Sequence, residues 1–296
     1  MSFVSTIIIP ERVHPNFLYV CLQGLIKNSL HKHKIIIVHG DPNKASADDW
    51  IVNPDMDRYH FRYRKYRNMG EFLDGNTELL RENNITTVDV TEKATELFAK
   101  YKRGEVFPGK TDVQAGVDIA FKVNKGIELA ETEWIIPNWD DDFYPSPGWD
   151  DCLLYIADRY KRNRAIFIST YVQPLNVGGD LNNMNATTTN IWSDFDHIAC
   201  NRLTLLTDKN YVTEEEWREF CLRWTKWRMY AEPCGLRDRL HYVPMLYRKE
   251  YLEELGPYNY QGNSYELEFD ARAGEHRFLK IASQSSFIGH KLHVPM

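Results

Sequence analysis

The sequence has few cysteines and no pattern that would pair them. Its five cysteines are an odd number, and none are arranged as the Cys-x-x-Cys pairs that zinc sites and redox motifs use. We therefore expect neither a disulfide framework nor a structural zinc site. Free thiols in this number fit a reduced, cytoplasmic compartment.

Long apolar runs are also absent. No stretch approaches the ~20 apolar residues that a membrane-spanning helix needs. The first apolar segment, "FVSTIIIP" (residues 3–10), is too short for the core of a signal peptide and ends at Pro10. We expect neither a targeting segment nor a transmembrane segment in this sequence.

The sequence has no excess of positive charge. It contains 36 Lys and Arg against 42 Asp and Glu, a net charge of −6. The chain as a whole is therefore not an electrostatic binder of nucleic acid, and any basic surface must be local. The hydrophobic content of 43% is enough for a core, and 296 residues without internal repeats fit one large α/β domain with insertions.

Buried β-branched runs alternate with helical patterns along the chain. Residues 3–10 and 32–43 predict two strands, and apolar residues at helical spacing between them predict a connecting helix. Such a βαβ unit implies a parallel sheet with a right-handed crossover. The alternation then continues with strands predicted within 84–91, 133–139, 164–174, 241–259 and 265–293, and helices within 111–132, 150–163, 212–233, 241–259 and 265–293. The fold class predicted is α/β, with a Rossmann-like, mostly parallel sheet flanked by helices.

Three consecutive carboxylates, Asp140, Asp141 and Asp142, follow the predicted strand within 133–139. In open α/β sheets ligands bind beyond the carboxyl ends of the strands. Adjacent carboxylates repel one another and raise each other's pKa unless a cation is near. Asp oxygens suit Mg²⁺ or Mn²⁺, which commonly also bind substrate phosphates. The alternative is a solvated turn that caps the next helix, although Asp150 and Asp151 are also available and a cap needs one Asp.

The segment "VNKGIELAETEWIIPNWDDDFYPSPGW" resembles the signature region of the family-2 glycosyltransferases of the GT-A fold. The matching parts are an N-x-G motif on a helix (Asn124 and Gly126), a hydrophobic strand (135–139), an Asp-rich motif (Asp140–Asp142) and a Pro-Gly-Trp start to the next helix (147–149). The opening βαβ resembles the part of the family that binds the nucleotide. The resemblance implies one GT-A-like domain, with residues 1–150 as the nucleotide-sugar half and 151–296 as the acceptor half.

The resemblance also implies the donor and its metal. The donor would be a nucleotide sugar, expected to be a UDP-sugar, whose diphosphate is bridged to the protein by Mn²⁺ or Mg²⁺. Asp142 would be the direct metal ligand, Asp140 would face the ribose or a metal-bound water, and Asp141 competes for the ligand role because three carboxylates permit more than one register. Further donor-side contacts are expected from Pro10, Glu11, Arg12, Asp41, Asn124 and Lys125.

Two departures from the family concern this donor side. The family usually has acids at the end of its second strand, where this chain has His39, Gly40 and Asp41. After Pro10 the chain continues with "ERVHPN", so that Glu11 and Arg12 become the candidates for contacting the base or the diphosphate. The alternative for Glu11 is a favourable negative charge at a helix N-terminus.

Transfer with inversion needs a general base for the acceptor hydroxyl. The segment "GPYNYQGNSYELEFDARAGEHRF" resembles the part of the family that carries it, with Glu266 in place of the catalytic Asp, Glu268 as the next acid and Arg272 as the Arg. Glu268 and Asp270 are the other candidates for the base. These acids would otherwise form a solvated helix face, but their spacing does not line one face.

A histidine near the end of the chain is a candidate metal ligand. Some GT-A enzymes complete the metal site with a histidine near this point, and imidazole suits Mn²⁺. His290 is the candidate, ahead of His293. The alternative is a structural histidine.

Two segments are candidates for acceptor binding. The insertion 51–69 contains "MDRYHFRYRKYRNM" (56–69), which interleaves Arg and Lys with aromatic residues. Such a pattern suits phosphate neutralisation and base stacking. The alternative is an amphipathic strand whose aromatic side packs inward. The second segment contains Arg223, Trp224, Trp227 and Arg228, which could clamp a sugar or a base.

Three functional hypotheses follow. The first is a metal-dependent inverting glycosyltransferase that acts on a glycan or a lipid-linked saccharide. The second keeps this chemistry but has a hydroxymethylated base in DNA as acceptor, as in some virus-encoded family members, and would place the protein in the host cytoplasm. The third is a non-catalytic protein of the same fold that binds sugar nucleotides or carbohydrate, against which the acidic triplet and the downstream acid argue. A nucleotidyltransferase with a similar sheet is a weaker alternative.

Overall fold

The computed structural model describes residues 2–46, 66–103, 114–139, 143–172, 214–224, 231–234, 245–259 and 265–290. Over these residues, strands and helices are each numbered in chain order. The strands are β1 (Ser5–Pro10), β2 (His33–His39), β3 (Ile85–Asp89), β4 (Trp134–Ile136), β5 (Phe143–Pro145), β6 (Ala165–Val172), β7 (Ala231–Cys234), β8 (Met245–Arg248) and β9 (Leu279–His290). The helices are α1 (Pro15–Asn28), α2 (Met69–Gly75), α3 (Thr77–Glu82), α4 (Thr91–Lys102), α5 (Gln114–Leu129), α6 (Trp149–Arg159), α7 (Glu214–Trp224), α8 (Lys249–Leu255) and α9 (Tyr265–Glu275).

The strands of the described part form one nine-stranded sheet in the order β3-β2-β1-β4-β8-β6-β9-β5, with β7 beside β9. Strands β1 to β4 pair in parallel, as do β6 and β9. Strands β5, β7 and β8 run the opposite way to their neighbours. The predicted α/β class with a mostly parallel sheet is therefore confirmed. The sheet joins strands from both halves of the chain.

The strand order reverses at β1. The chain passes from β1 to β2 and then to β3 on one side, and it returns to pair β4 with the other side of β1, where Ile7 lies opposite Ile136. Such a reversal opens a crevice beyond the carboxyl ends of the two strands, which is where open α/β sheets bind their ligands. In this chain the crevice lies beyond the ends of β1 and β4.

The first strand is apolar throughout because both of its faces are covered. Ile7 and Ile9 pack with the apolar face of α1, whereas Ile8 packs with α5 on the opposite face. Gly126 allows the close approach of α5, since a Cβ at this position would lie 2.2 Å from Cγ2 of Ile8. Burial on both faces is typical of parallel sheets, and this explains why the strand shows no alternation of polar and apolar residues.

One predicted helix is shorter than expected. The helical pattern was extended over residues 212–233, but α7 ends at Trp224 and residues 231–234 form β7, which pairs antiparallel with β9. Pro233 cannot donate a backbone hydrogen bond within a helix, but it is tolerated in a strand that lies at a sheet edge. Strand β5 and helices α2 to α4 were not predicted.

Several predictions concern residues outside the described part of the chain. They include the acidic triplet Asp140–Asp142, most of the basic-aromatic segment (56–65), and Trp227, Arg228 and His293. Among the helices that the structure does describe, none has both the length and the apolar character to cross a bilayer.

Candidate functional site

The carboxyl ends of β1 to β4 are held together by backbone hydrogen bonds. The amide of Glu11, just after β1, donates to the carbonyl of Val38 in β2 (3.0 Å), and the amide of Trp139, after β4, donates to the carbonyl of Ile8 (2.9 Å). The segments that leave these strands therefore start from a fixed frame. Of the residues predicted for the donor side, Pro10, Glu11, Arg12 and Asp41 lie at or just after the carboxyl ends of β1 and β2.

The acidic triplet is anchored at both of its ends. Trp139 precedes it with 0% of its surface exposed, and Phe143 follows it with 3% exposed. The Trp139 indole N–H points to Sγ of Cys21 (3.0 Å), and Phe143 is the first residue of β5. The residues on both sides of the triplet are therefore packed in the core, Trp139 shortly after β4 and Phe143 at the start of β5.

His290 lies next to this point. It is the last residue of β9, and the strand register places it opposite Phe143, the residue that follows Asp142. Sequence distance between them is large, but the antiparallel pairing of β5 and β9 makes them neighbours. The role of His290 as a metal ligand stays a prediction. Within the described residues, no three His, Cys, Asp or Glu side chains form a metal-binding group.

Glu11 is held by the protein. It is 2% exposed, and its Oε1 accepts a hydrogen bond from the backbone N–H of His14 (3.0 Å), immediately before α1 begins. This contact supports the alternative in which Glu11 acts at a helix N-terminus. Pro10 is buried at the end of β1 and lies opposite Val38.

A buried lysine that was not predicted supports the same edge. Lys122 of α5 is 2% exposed, and its Nζ donates to the carbonyl of Glu11 (2.6 Å) and pairs with Asp118 (2.8 Å). A Cβ at Gly40 would lie 3.7 Å from this Nζ, so the ammonium sits between the ends of β1 and β2. The signal in the sequence was a lysine on the apolar face of a helix.

The end of β2 carries a different set of groups from the family pattern. The Asp41 carboxylate is exposed and accepts from the backbone N–H of Asn43 (2.9 Å). Asp89, at the end of β3, lies opposite His39 and accepts from both the N–H (2.8 Å) and the hydroxyl (2.5 Å) of Thr91. Burial alone would raise the pKa of Asp89, but the Thr91 hydrogen bonds and the His39 charge lower it. Asp89 is therefore a second carboxylate beside Asp41, and sequence analysis missed it.

Asn124 and Lys125 make contacts within the protein. The Asn124 side chain bonds to both backbone groups of Tyr258, and Lys125 pairs with Glu128 on the surface of α5 (2.9 Å). These contacts neither require nor exclude a donor, and the donor-binding role of both residues stays a prediction.

The acids of α9 differ in their partners. Glu268 pairs with Arg272 (2.8 Å), and Asp270 forms a buried ion pair with Lys280 of β9. Burial raises the pKa of Asp270 in spite of the Lys280 charge. Helix α9 packs against the sheet and ends shortly before β9 begins. Glu266 lies in its first turn, and its role as the base stays a prediction.

The other two acidic residues considered in the sequence, Asp150 and Asp151, lie at the opposite edge of the sheet. Asp150 is buried and accepts from the backbone N–H of His31 (2.8 Å) and from His33 Nε2 (3.0 Å) at the start of β2. His31 Nε2 in turn lies 3.0 Å from Asp151. Asp150 and Asp151 therefore join α6 to the segment between α1 and β2, and neither belongs to the candidate site.

The fold of the chain is GT-A-like. Among solved structures, the chain is similar to GalNAc-T7 crystallised with UDP, GalNAc and Mn²⁺ (TM-score 0.51, 13% identity, 98% of this chain and 44% of that one). It is also similar to S. aureus TarS (TM-score 0.49, 11% identity, 99% of this chain and 37% of that one). The chain spans less than half the length of either protein. No protein-family model and no curated protein sequence matches the chain.

Proposed function

We propose that this chain is a metal-dependent inverting glycosyltransferase that moves a sugar from a nucleotide sugar, expected to be a UDP-sugar, to an acceptor hydroxyl. The observation that supports it most is the position of Trp139, which precedes Asp140–Asp142. Trp139 lies three residues after β4, and its backbone N–H donates to the carbonyl of Ile8 beside the crevice where the strand order reverses at β1. Ligands of open α/β sheets bind in such a crevice.

The residue types of the triplet and of His290 suit a divalent cation. Carboxylate oxygens suit Mg²⁺ and Mn²⁺, and His290, opposite Phe143, would add a nitrogen ligand that suits Mn²⁺. Asp142 and His290 would hold the ion, with Asp140 or Asp141 as the further ligand. A bound metal ion would offset the negative charge that builds on the leaving diphosphate.

The chemistry needs one proton acceptor from the protein. Glu266 would take the proton of the acceptor hydroxyl as the oxygen forms its bond to the anomeric carbon of the sugar. The bond from that carbon to the diphosphate oxygen breaks, and the nucleoside diphosphate leaves with the electron pair. Attack from the face opposite to the leaving group inverts the configuration at the anomeric carbon.

The acceptor is proposed to be a saccharide hydroxyl or the hydroxyl of a hydroxymethylated DNA base. Only the end of the basic-aromatic segment is described. There Tyr66 is 4% exposed and packs against Tyr19 and Phe72, whereas the Arg67 side chain is 84% exposed. At these two positions the aromatic ring packs inward and the basic side chain faces water, which is the pattern expected of an amphipathic segment. A basic face of that kind suits either a DNA backbone or an anionic glycan.

The first experiment measures donor binding and hydrolysis. The protein is titrated with UDP in the presence and absence of Mn²⁺ and is then incubated with a panel of nucleotide sugars. We expect Mn²⁺-dependent UDP binding and slow hydrolysis of one donor, both lost in Asp142→Asn and retained in Asp158→Asn, which changes an exposed Asp on α6. Equal UDP binding by Asp142→Asn and no turnover of any donor would contradict the proposal. Donor binding without turnover would favour the non-catalytic binding protein.

The second experiment separates the two acceptor classes. Binding to duplex DNA is measured over a range of salt concentrations, since contacts with phosphates produce a steep decrease in affinity as salt rises. A weak affinity with a flat salt dependence would remove DNA as the acceptor and leave the saccharide.

A further inference from the structure

Three motifs that are far apart in the sequence meet at one place. Asn124 belongs to α5, Tyr258 follows α8, and Arg272 belongs to α9. All three lie in segments that resemble glycosyltransferase motifs, and the first was expected to contact the donor. In the structure, Tyr258 lies in the short connection that follows α8 (residues 256–259), and both Asn124 and Arg272 contact this connection.

Asn124 binds this connection through both ends of its amide group. Its Nδ2 donates to the carbonyl of Tyr258 (2.9 Å), and its Oδ1 accepts from the backbone N–H of the same residue (2.8 Å). The side chain thus satisfies both backbone groups of Tyr258, as a neighbouring strand would do in a sheet. No other standard side chain of this size offers both a donor and an acceptor in this geometry.

Arg272 binds the same connection from the other side. Its Nη1 donates to the carbonyl of Leu255 (2.5 Å), and its Nη2 donates to the carbonyl of Pro257 (2.9 Å) and to Glu268 (2.8 Å). Gly256 between these carbonyls has a φ of 76°, in the left-handed region that favours glycine. The planar guanidinium serves several acceptors at once, which an ammonium group cannot do as well.

Aromatic packing links the contacts made by Asn124 with those made by Arg272. The ring of Tyr258 is stacked on that of Phe269, with centroids 4.0 Å apart and planes 8° from parallel, and both residues are buried. The guanidinium of Arg272 lies 5.1 Å from the centre of the Phe269 ring. The connection after α8 is therefore held to α5 and to α9 together.

We propose that Asn124 and Arg272 are positioning residues that fix the first turn of α9, and with it Glu266, relative to the donor side of the sheet. Glu266 precedes Phe269 by three residues. Since a helix rises about 1.5 Å per residue, the Phe269 ring that stacks on Tyr258 belongs to the same helical turn as the candidate base. On the donor side, α5 also holds β1 through Gly126 and the carbonyl of Glu11 through Lys122. This inference rests on the proposed glycosyltransferase function.

The inference differs from the one that the sequence resemblance implies for Asn124. If Asn124 contacts the donor, its loss weakens nucleotide binding. If Asn124 positions Glu266, its loss leaves nucleotide binding unchanged and slows the chemical step. A merely structural role would lower the melting temperature and leave both quantities unchanged in the folded protein.

The test uses two variants. Asn124→Asp keeps the shape of the side chain but loses the N–H group that donates to the carbonyl of Tyr258. Arg272→Met loses the guanidinium and all of its hydrogen bonds. The matched controls are Asn163→Asp and Arg162→Met, both exposed in the turn after α6. For each protein, the Kd for UDP with Mn²⁺, the donor KM and the kcat of donor hydrolysis are measured well below its melting temperature. Because small displacements of a reacting group slow catalysis strongly, we expect kcat to fall about 10- to 100-fold in the test variants, with Kd and KM within about 2-fold of the parent.

Arg272→Lys provides a variant that keeps the charge. A lysine reaches fewer of the carbonyls, so we expect a kcat between those of the parent and Arg272→Met. A higher UDP Kd in Asn124→Asp with unchanged kcat would overturn the inference in favour of a donor contact. Unchanged kcat in all three test variants would also overturn it. A parent protein that binds no UDP and hydrolyses no donor would instead contradict the proposed function itself.

Discussion

The rings of Trp139 and Phe143 meet edge to face, with centroids 6.0 Å apart and an interplanar angle of 80°. Between them in the sequence lie Asp140–Asp142 and no other residue. The two residues that flank the triplet are therefore both packed in the core. A site that must hold an ion benefits from such support, because its ligands then need little ordering when the ion binds.

Replacing Trp139 with alanine tests this support. The indole also packs on Trp149 (4.8 Å between centroids), so its loss leaves a large cavity beside that ring. We expect Trp139→Ala to lower the free energy of unfolding by about 3–5 kcal/mol, measured by urea denaturation. We also expect weaker Mn²⁺-dependent UDP binding. The control is Tyr155→Ala, which removes an exposed aromatic ring of α6. Equal UDP affinity in the two variants would show that Trp139 does not contribute to donor binding.

Lys122→Met tests the buried lysine between the ends of β1 and β2. The change leaves the carbonyl of Glu11 without its Nζ donor and Asp118 without its ion-pair partner. We expect the free energy of unfolding to fall by about 2–4 kcal/mol, because the loss of one partner leaves a buried polar group unpaired. UDP affinity, measured by titration calorimetry, should fall as the segment after β1 shifts. Lys161→Met, at an exposed position, should change neither quantity.

Gly126→Ala tests the close approach of α5 to β1. The added methyl group would lie 2.2 Å from Cγ2 of Ile8, so the helix must move away. We expect a loss of about 1–3 kcal/mol in the free energy of unfolding. In an Ile8→Ala background the same change should cost less, since the opposing methyl group is gone. Additive effects of the two substitutions in denaturation experiments would exclude this contact as the cause.

Asp150→Asn tests the acidic residue at the amino edge of the sheet. Burial would raise the pKa of Asp150, but the hydrogen bonds from His33 and from two backbone N–H groups hold it below its usual value. A carboxylate with a lowered pKa in the folded state stabilises that state above the pKa of the unfolded chain and loses this effect as the pH falls through its folded pKa. We expect Asp150→Asn to cost about 2–4 kcal/mol at pH 7.

The difference between the parent and Asp150→Asn should then shrink as the pH falls below about 4, where the unfolded chain begins to bind a proton at this carboxyl, and it should vanish once the pH passes the lower pKa of the folded protein. Urea denaturation at a series of pH values measures this. A difference that stays constant down to the acid transition of the parent would show that the charge of Asp150 does not contribute.

Glu266→Gln tests the candidate base. A glutamine keeps the shape but cannot take a proton, so we expect kcat to fall by about 10²–10⁴-fold with UDP affinity unchanged. The acidic limb of the pH–rate profile should disappear with it. Glu275→Gln, an exposed position on the same helix, should retain the kcat of the parent. Full activity in Glu266→Gln together with its loss in Glu268→Gln would transfer the role to Glu268.

The first half of the fold could be read from local patterns. The runs that became β1 and β2 are continuous and β-branched because helices cover both sides of the sheet, and the apolar positions of α1 follow the helical repeat. These signals are local, and the chain obeys them.

Other elements left no such signal. Strand β5 has three residues, too few to show a period, and it exists because it pairs with the end of β9. Strand β7 was taken for the end of a helix, since nothing in residues 231–234 reveals that β9 is available as a neighbour. Short strands are specified by their partners, and a partner far along the chain cannot be identified from one sequence.

The expectation of a cation at the candidate site came from the residue types alone, because adjacent carboxylates repel one another unless a cation is near, and it stays a prediction. The roles of individual side chains could not be predicted in this way. Asn124 has its partner 134 residues away in Tyr258, and Asp270 is neutralised by Lys280 of the following strand. Which polar group is left for a ligand depends on which ones the protein itself uses, and that follows from contacts that form only when the chain is folded.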